Sequence, residues 1–371
     1  MIIMALDHVR DYTNRAAMEH RPEDLAYATA AIFLTRWITH FCAPVFMLTA
    51  GLGASLLKQR GRSSAQLSRF LWTRGLWLIF LEWTAVRFAM FFNFHGAAIL
   101  TVFWVLGWCM IALAALLYLP VRVLTSMSVA MIALHNLLDG IRATSFGGAA
   151  WVWNFFHQSG AFMVGGLVIV IGYPLIPWVA VMAAGYCLGE VFRWEAERRQ
   201  RFLVRLGAGM SIAFVALRGG NLYGDPGPWT TQCSFVLSFL NCTKYPPSLA
   251  FLLMTLGPAI LVLGLIERVR LSDKNPLLVF GRTPLVYFLG HLLLAHLATV
   301  LMAFVHYGNA AFLWHPAPNM GGISKEFPPG YGYDLWVTYL VWIAVVAAMY
   351  PFCRWFAGVK RRRKDWWLSY L

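Results

Sequence analysis

Charge is what this sequence has least of. Only 12% of its 371 residues are Asp, Glu, Lys or Arg, against roughly 25% in an ordinary soluble domain, and only 16 are acidic. A water-soluble fold is a poor fit on that ground. Zinc-type spacings such as C-x-x-C and H-E-x-x-H are missing, so no metal centre is expected. A charged leader followed by a small-residue cleavage site is also missing, so no signal peptide is read. Gly51-Leu52-Gly53 is too little for a nucleotide loop, and no strand precedes it. The formal charge of +14 comes without any nucleic-acid-binding motif, which argues against that partner. The six cysteines are scattered. Cys42, Cys109, Cys187 and Cys353 lie in apolar runs, where cysteine acts as a small hydrophobe. Only Cys233 and Cys242 share a predicted loop, and a disulfide there requires that the loop face an oxidising compartment. Asn241-Cys242-Thr243 fits a glycosylation sequon too short to carry weight.

What the sequence has in abundance is apolar length, since 60% of its residues are hydrophobic. Runs such as 102–119, 161–185, 249–266 and 335–352 approach the roughly 20 residues that cross a bilayer as a helix. Spans are read at 28–57, 67–93, 97–119, 121–139, 160–191, 202–218, 247–267, 276–305 and 334–357, with a short apolar start at 1–12. The expected fold is an all-α, polytopic transmembrane bundle of about ten spans, forming one domain over 1–371. Pro174 and Pro177 imply a kink or two half-spans within 160–191. Basic clusters at Lys58 to Arg69, Arg193 to Arg205, Arg268 to Lys274 and Lys360 to Lys364 fall on one side, which the positive-inside rule makes cytoplasmic. The longer loops 13–27, 140–159, 219–246 and 306–333 fall opposite and are the expected binding loops.

Ionisable groups inside spans are expensive unless paired or wet, so each is a functional candidate. Arg36 and His40, four residues apart, share a helix face. Glu82 and Arg87 occupy the third segment, His135, Asn136 and Asp139 the fifth, and Arg282, His291 and His296 the ninth. Asp7, His8, Arg10 and Asp11 close the first. Most of these lie toward the outer side, which implies a polar vestibule there. Asp7 or Asp11 beside His8 could orient an imidazole as a general base. Plainer readings stand beside these: Glu82 pairing with Arg36 or Arg87, His291, His296 and His306 as satisfied interior histidines, and Asn136 and Asp139 as interhelical hydrogen-bonding groups.

Ala5-Leu6-Asp7-His8-Val9-Arg10-Asp11, the stretch Phe33 to Phe46 with Ala50-Gly51, Tyr173-Pro174-Leu175-Ile176-Pro177-Trp178, Lys244-Tyr245-Pro246-Pro247-Ser248-Leu249, Gly281-Arg282-Thr283-Pro284 and Trp366 to Tyr370 resemble a bacterial multi-pass membrane family. That family is grouped with the catalytic domain of heparan-α-glucosaminide N-acetyltransferase, and the resemblance runs over nearly the whole chain. It implies transfer of an acetyl or acyl group from cytoplasmic acyl-CoA (acetyl-CoA) to a hydroxyl or amine on the far side, without a metal. It does not name the acceptor, for which a glycan or amino sugar is the candidate, and the expected location is a bacterial inner membrane. On this reading His8 is the catalytic base or acyl carrier, with Asp7 and Asp11 orienting it. Arg36 and His40 polarise the thioester or hold a ligand anion, and Arg282 meets the CoA phosphates. His135, Asp139 and Lys244 are expected to contact the acceptor. The wider group carries an Arg eleven residues before its catalytic His. That position precedes Met1, so of two readings of the short start, a surface stub or a truncated first span, the resemblance favours truncation. A transporter or flippase is the competing reading, and a membrane haem protein a third. The oligomeric state is left open.

Overall fold

A computed structural model describes residues 1–231, 234–314, 327–363 and 365–371. Cys233, and so the Cys233–Cys242 pairing, lies outside the described residues, as does part of the 306–333 loop. The chain is mostly helical. Five helices among the described residues are long and apolar enough to cross a membrane: Ala30–Gln59, Val121–Leu138, Ala196–Gly220, Pro284–Tyr307 and Leu335–Arg362. Val102–Leu116 and Leu249–Leu265 are apolar but shorter. Contacts group the chain into two compact units, one of Met1–Cys42, Thr84–His95 and Arg270–Leu371, the other of Ala43–Trp83 and Gly96–Val269.

The first unit contains α1 (Ile2–Thr13) and α2 (Ala30–Thr39), which begins where the Thr29 hydroxyl accepts from Ile32 N–H. The Ala30–Gln59 segment is interrupted at His40 and Phe41, after which α3 runs Cys42–Gln59. The second unit continues with α4 (Ser64–Leu81), started by a capping box between Ser63 and Gln66, then α5 (Val102–Leu116), α6 (Val121–Leu134), α7 (Trp178–Leu188), α8 (Ala196–Gly220) and α9 (Leu249–Leu265), capped by Ser248. The first unit is completed by α10 (Pro284–Tyr307) and α11 (Leu335–Arg362). Thr283 separates α10 from a preceding turn of helix at Pro276–Arg282, so the expected 276–305 span is broken there.

Glycine brings helices of the second unit to backbone contact. A Cβ on Gly185 of α7 would stand 2.0 Å from the Leu48 carbonyl oxygen of α3, and one on Gly75 of α4 would stand 2.5 Å from the Gly107 oxygen of α5. With no hydrophobic force between helices in lipid, such approach is how helices gain packing energy.

Three further sequence expectations change. The 160–191 segment is not one helix, because Gly160–Val164 (β2) and Leu167–Ile171 (β3) form an antiparallel hairpin. Ala97–Leu100 (β1) joins β3 in parallel, so the expected span at 97–119 starts as a strand. Gly165 and Gly166 both have positive φ, 56° and 82°, the two-residue turn that favours hairpins. The β-branched run Val168 to Ile171 suits a strand better than a helix. Among the described residues Glu82 pairs with no cation: its carboxylate accepts from Thr101 N–H and Oγ1–H, Phe103 N–H and Trp104 N–H at 2.6–3.2 Å. It caps the amino end of α5, where open donors and the helix dipole favour an anion.

Candidate active site

The polar cluster of the first unit is built on α1. Asp7 and His8 are adjacent in sequence, so their side chains leave the helix about 100° apart. Asp7 turns to α2, where Arg36 Nη1 donates to both of its oxygens at 2.8 and 2.7 Å and Thr39 Oγ1 donates at 2.9 Å. Arg10, one turn along α1 and 2% exposed, bridges Asp7 (2.8 Å) and Asp11 (2.6 Å) through Nη2. Arg36 Nε donates to Glu23 at 2.7 Å, and His40 Nε2 lies 3.8 Å from the same carboxylate oxygen. Burial raises the Glu23 carboxyl, but the Arg36 charge and hydrogen bond, with the His40 ring nearby, outweigh it and hold the group well below its usual range.

His8 turns to α10. Its Nδ1 lies 2.8 Å from His291 Nε2, with the rings within 6° of parallel. His291 is fully buried, and its Nδ1 lies 2.7 Å from the carbonyl oxygen of Tyr287. A carbonyl only accepts, so His291 Nδ1 carries a proton. In a neutral imidazole Nε2 is then the acceptor, and His8 must donate Nδ1–H to it. The lone pair of His8 therefore sits on Nε2. The edge of Phe288 packs against the His8 ring.

The structure thus brings together Asp7, His8, Arg10, Asp11, Arg36 and His40 from the expected set and adds Glu23 and His291. Asp7 and Asp11, expected to orient His8, are bound to guanidinium groups, and the His8 ring donates instead to His291. Glu23 escaped the sequence reading because it lies in a loop, outside the spans searched for ionisable groups. His291 was noted as an interior histidine, but its partner lies 283 positions away. His296, on the same helix, sits between the carbonyls of Ala89 (3.0 Å) and Leu313 (2.9 Å). Arg282 pairs with Asp273 at 2.8 Å, Arg361 lies 3.6 Å from the same carboxylate, and Lys360 donates to the Arg282 carbonyl, an exposed cluster with more cation than anion.

His135, Asp139 and Lys244 belong to the second unit. Both ring nitrogens of His135 face carbonyls, Ile132 at 2.9 Å and Pro247 at 2.8 Å. Asp139 accepts from Asn136 at 2.7 Å and pairs with His157 at 3.1 Å; burial raises its carboxyl, but these two partners lower it further. Among the described residues no group of three or more His, Cys, Asp and Glu could hold a metal.

A family model described as heparan-alpha-glucosaminide N-acetyltransferase, catalytic, matches residues 17–220, more than half of the chain. The chain belongs to this family. No curated protein and no solved structure shows a match. The span matched to the N-acetyltransferase family takes in Glu23, Arg36, His40, His135 and Asp139, while His8, Lys244, Arg282 and His291 lie outside it. Family membership and the five long apolar helices together make the chain an integral membrane protein of an acetyltransferase family.

Proposed function

We propose that this chain is an acetyltransferase that moves an acetyl group from acyl-CoA to a hydroxyl or amine acceptor, with His8 as its general base. The observation that supports the reading is the His8–His291 hydrogen bond at 2.8 Å, which leaves His8 Nε2 as the nitrogen able to take a proton. The acceptor O–H or N–H gives its proton to Nε2 as its oxygen or nitrogen bonds to the thioester carbonyl carbon. The C–S bond breaks, and the thiolate leaving group recovers a proton from His8. His291 positions the base, and its hydrogen bond strengthens as His8 becomes cationic. Arg36, committed to Asp7 and Glu23, holds α1, α2 and the 20–29 loop in register around the imidazole. The Arg282, Arg361 and Lys360 cluster has the surplus positive charge to meet CoA phosphates. By analogy with the family, the acceptor is a glycan or amino sugar and the site opens away from the cytoplasm of a bacterial inner membrane, with the chain acting as one domain.

The test is release of free CoA and acetylation of a panel of amino sugars by the protein purified in detergent, beside His8→Ala. Acetylation that depends on His8 is the expected result. CoA turnover indifferent to His8 overturns the assignment, and facilitated solute flux without CoA release replaces it with the transporter reading.

A further inference from the structure

The two proline motifs singled out in the sequence, Tyr173 to Trp178 and Lys244 to Leu249, have no part in the chemistry given to His8, yet the second unit brings them together. The hydroxyls of Tyr173 and Tyr245 lie 3.3 Å apart, their rings meet edge to face at 5.1 Å, and Tyr173 packs on Trp178 at 5.9 Å. Lys244 is only 8% exposed. Its ammonium stands 5.1 Å from the centre of the Tyr245 ring, and it has no hydrogen-bond acceptor or carboxylate among the described residues.

The nearby acid is committed elsewhere. Asp225 accepts from Thr243 N–H and Oγ1–H, from Ser248 Oγ–H and from Gly227 N–H, and it faces Arg218 at 3.7 Å. The amino end of α9 is closed as well: Leu249 N–H donates to Asn136, Ala250 N–H to the Gly224 carbonyl and Phe251 N–H to Ser248. The Lys244 side chain is mostly covered and its ammonium has no counter-charge among the described residues, and a ring face restores only part of the lost hydration. The fold keeps such a cation beside a tyrosine that remains 39% exposed. A cation next to a partly exposed aromatic ring suits a ligand that combines an oxyanion with a sugar ring.

We propose that Lys244, Tyr245 and Tyr173 form a binding site for a sugar carrying a phosphate or carboxylate, with the oxyanion on Lys244 and the ring on Tyr245. The site is independent of acyl transfer at His8. Thermal stability of the purified protein is measured in neutral detergent, without acyl-CoA, against glucose 6-phosphate, glucose and inorganic phosphate. Glucose 6-phosphate should raise the melting temperature saturably and glucose should not. Lys244→Met should bind at least tenfold more weakly, and Lys244→Arg should retain binding. A second readout needs no variant: glucose 6-phosphate should protect Lys244 from an amine-reactive reagent, followed by peptide mass spectrometry. Equal responses to glucose and glucose 6-phosphate, equal responses of the native protein and Lys244→Met, or an effect fully reproduced by inorganic phosphate would each overturn the proposal. Protection of Lys244 in phosphatidylglycerol nanodiscs but not by the sugar phosphate would hand the site to a lipid headgroup. Because no acyl donor is present, these outcomes leave the His8 assignment untouched, and a failed transfer assay leaves this site standing.

Discussion

Two buried arginines hold their surroundings in opposite ways. Arg36 in the first unit binds carboxylates, Asp7 and Glu23 at 2.7–2.8 Å. Arg218 in the second is wrapped by the backbone carbonyls of Phe239, Gly227, Ser238 and Asn241 at 2.7–3.1 Å, with Asp225 farther off at 3.7 Å. The histidines divide similarly: His8 meets another imidazole, while His135 sits between two carbonyls. Carboxylates and imidazoles take up and release protons, whereas carbonyls do not. The hydrogen bonds around His8 and Arg36 therefore involve groups that change with proton transfer, whereas those around Arg218 tie a loop to a helix.

If this contrast is right, substitutions in the first unit should act on turnover and those in the second on stability. The largest effect is expected for His8→Ala, a loss of about 10²- to 10⁴-fold in transfer rate, the usual contribution of a general base, with the melting temperature unchanged. Arg218→Met should do the reverse, removing about 3–5 kcal/mol of stability because Asp225 is left buried without its cation; unfolding in mild detergent would measure it. His291→Phe leaves the base in place without its acceptor. We expect kcat to fall by up to about 10²-fold, the scale of a misplaced catalytic group, with a moved pH profile and little change in KM. An unmoved profile would make His291 a packing residue only. Gly185→Ala, whose Cβ would meet the Leu48 oxygen at 2.0 Å, should cost about 1–3 kcal/mol by overpacking, read as a lower melting temperature.

The smallest effect concerns Glu23. Its folded pKa lies below the ordinary 4.5, so its stabilising contribution is full above that value and disappears as pH falls through the lower folded value. The stability difference between the native protein and Glu23→Gln, within about 1 kcal/mol for a partly exposed group, should be flat above about pH 5 and shrink only below it. A difference that vanished near neutrality would break the link between Glu23 and Arg36.

Scarce charge made the membrane class legible, because a run of apolar residues long enough to span lipid needs no tertiary information to be seen. The hairpin at 160–171 was hidden by the same signal: hydropathy adds up along the chain regardless of conformation, and only Gly165-Gly166 and the β-branched run after it mark a turn and a strand. In the site, Asp7, His8, Arg36 and His40 stood out as ionisable groups among apolar ones. Their partners did not. Glu23 lies among other loop polars, and the pairing of His8 with His291 depends on which faces of α1 and α10 meet. Glu82 shows a further limit, since a search for opposite charges overlooks backbone N–H groups, which proved to be its partners.

The His8–His291 hydrogen bond runs in one direction and stops. His291 ends on the Tyr287 carbonyl, which accepts a hydrogen bond but does not carry a proton onward. On the proposed mechanism a proton taken up at His8 has no second exit along that branch, so it leaves from Nε2, the nitrogen that took it up, in exchange for the acetyl group. Such a transfer moves no net charge across the bilayer. Acetylation by the chain in sealed vesicles should then proceed at the same rate whatever the transmembrane voltage.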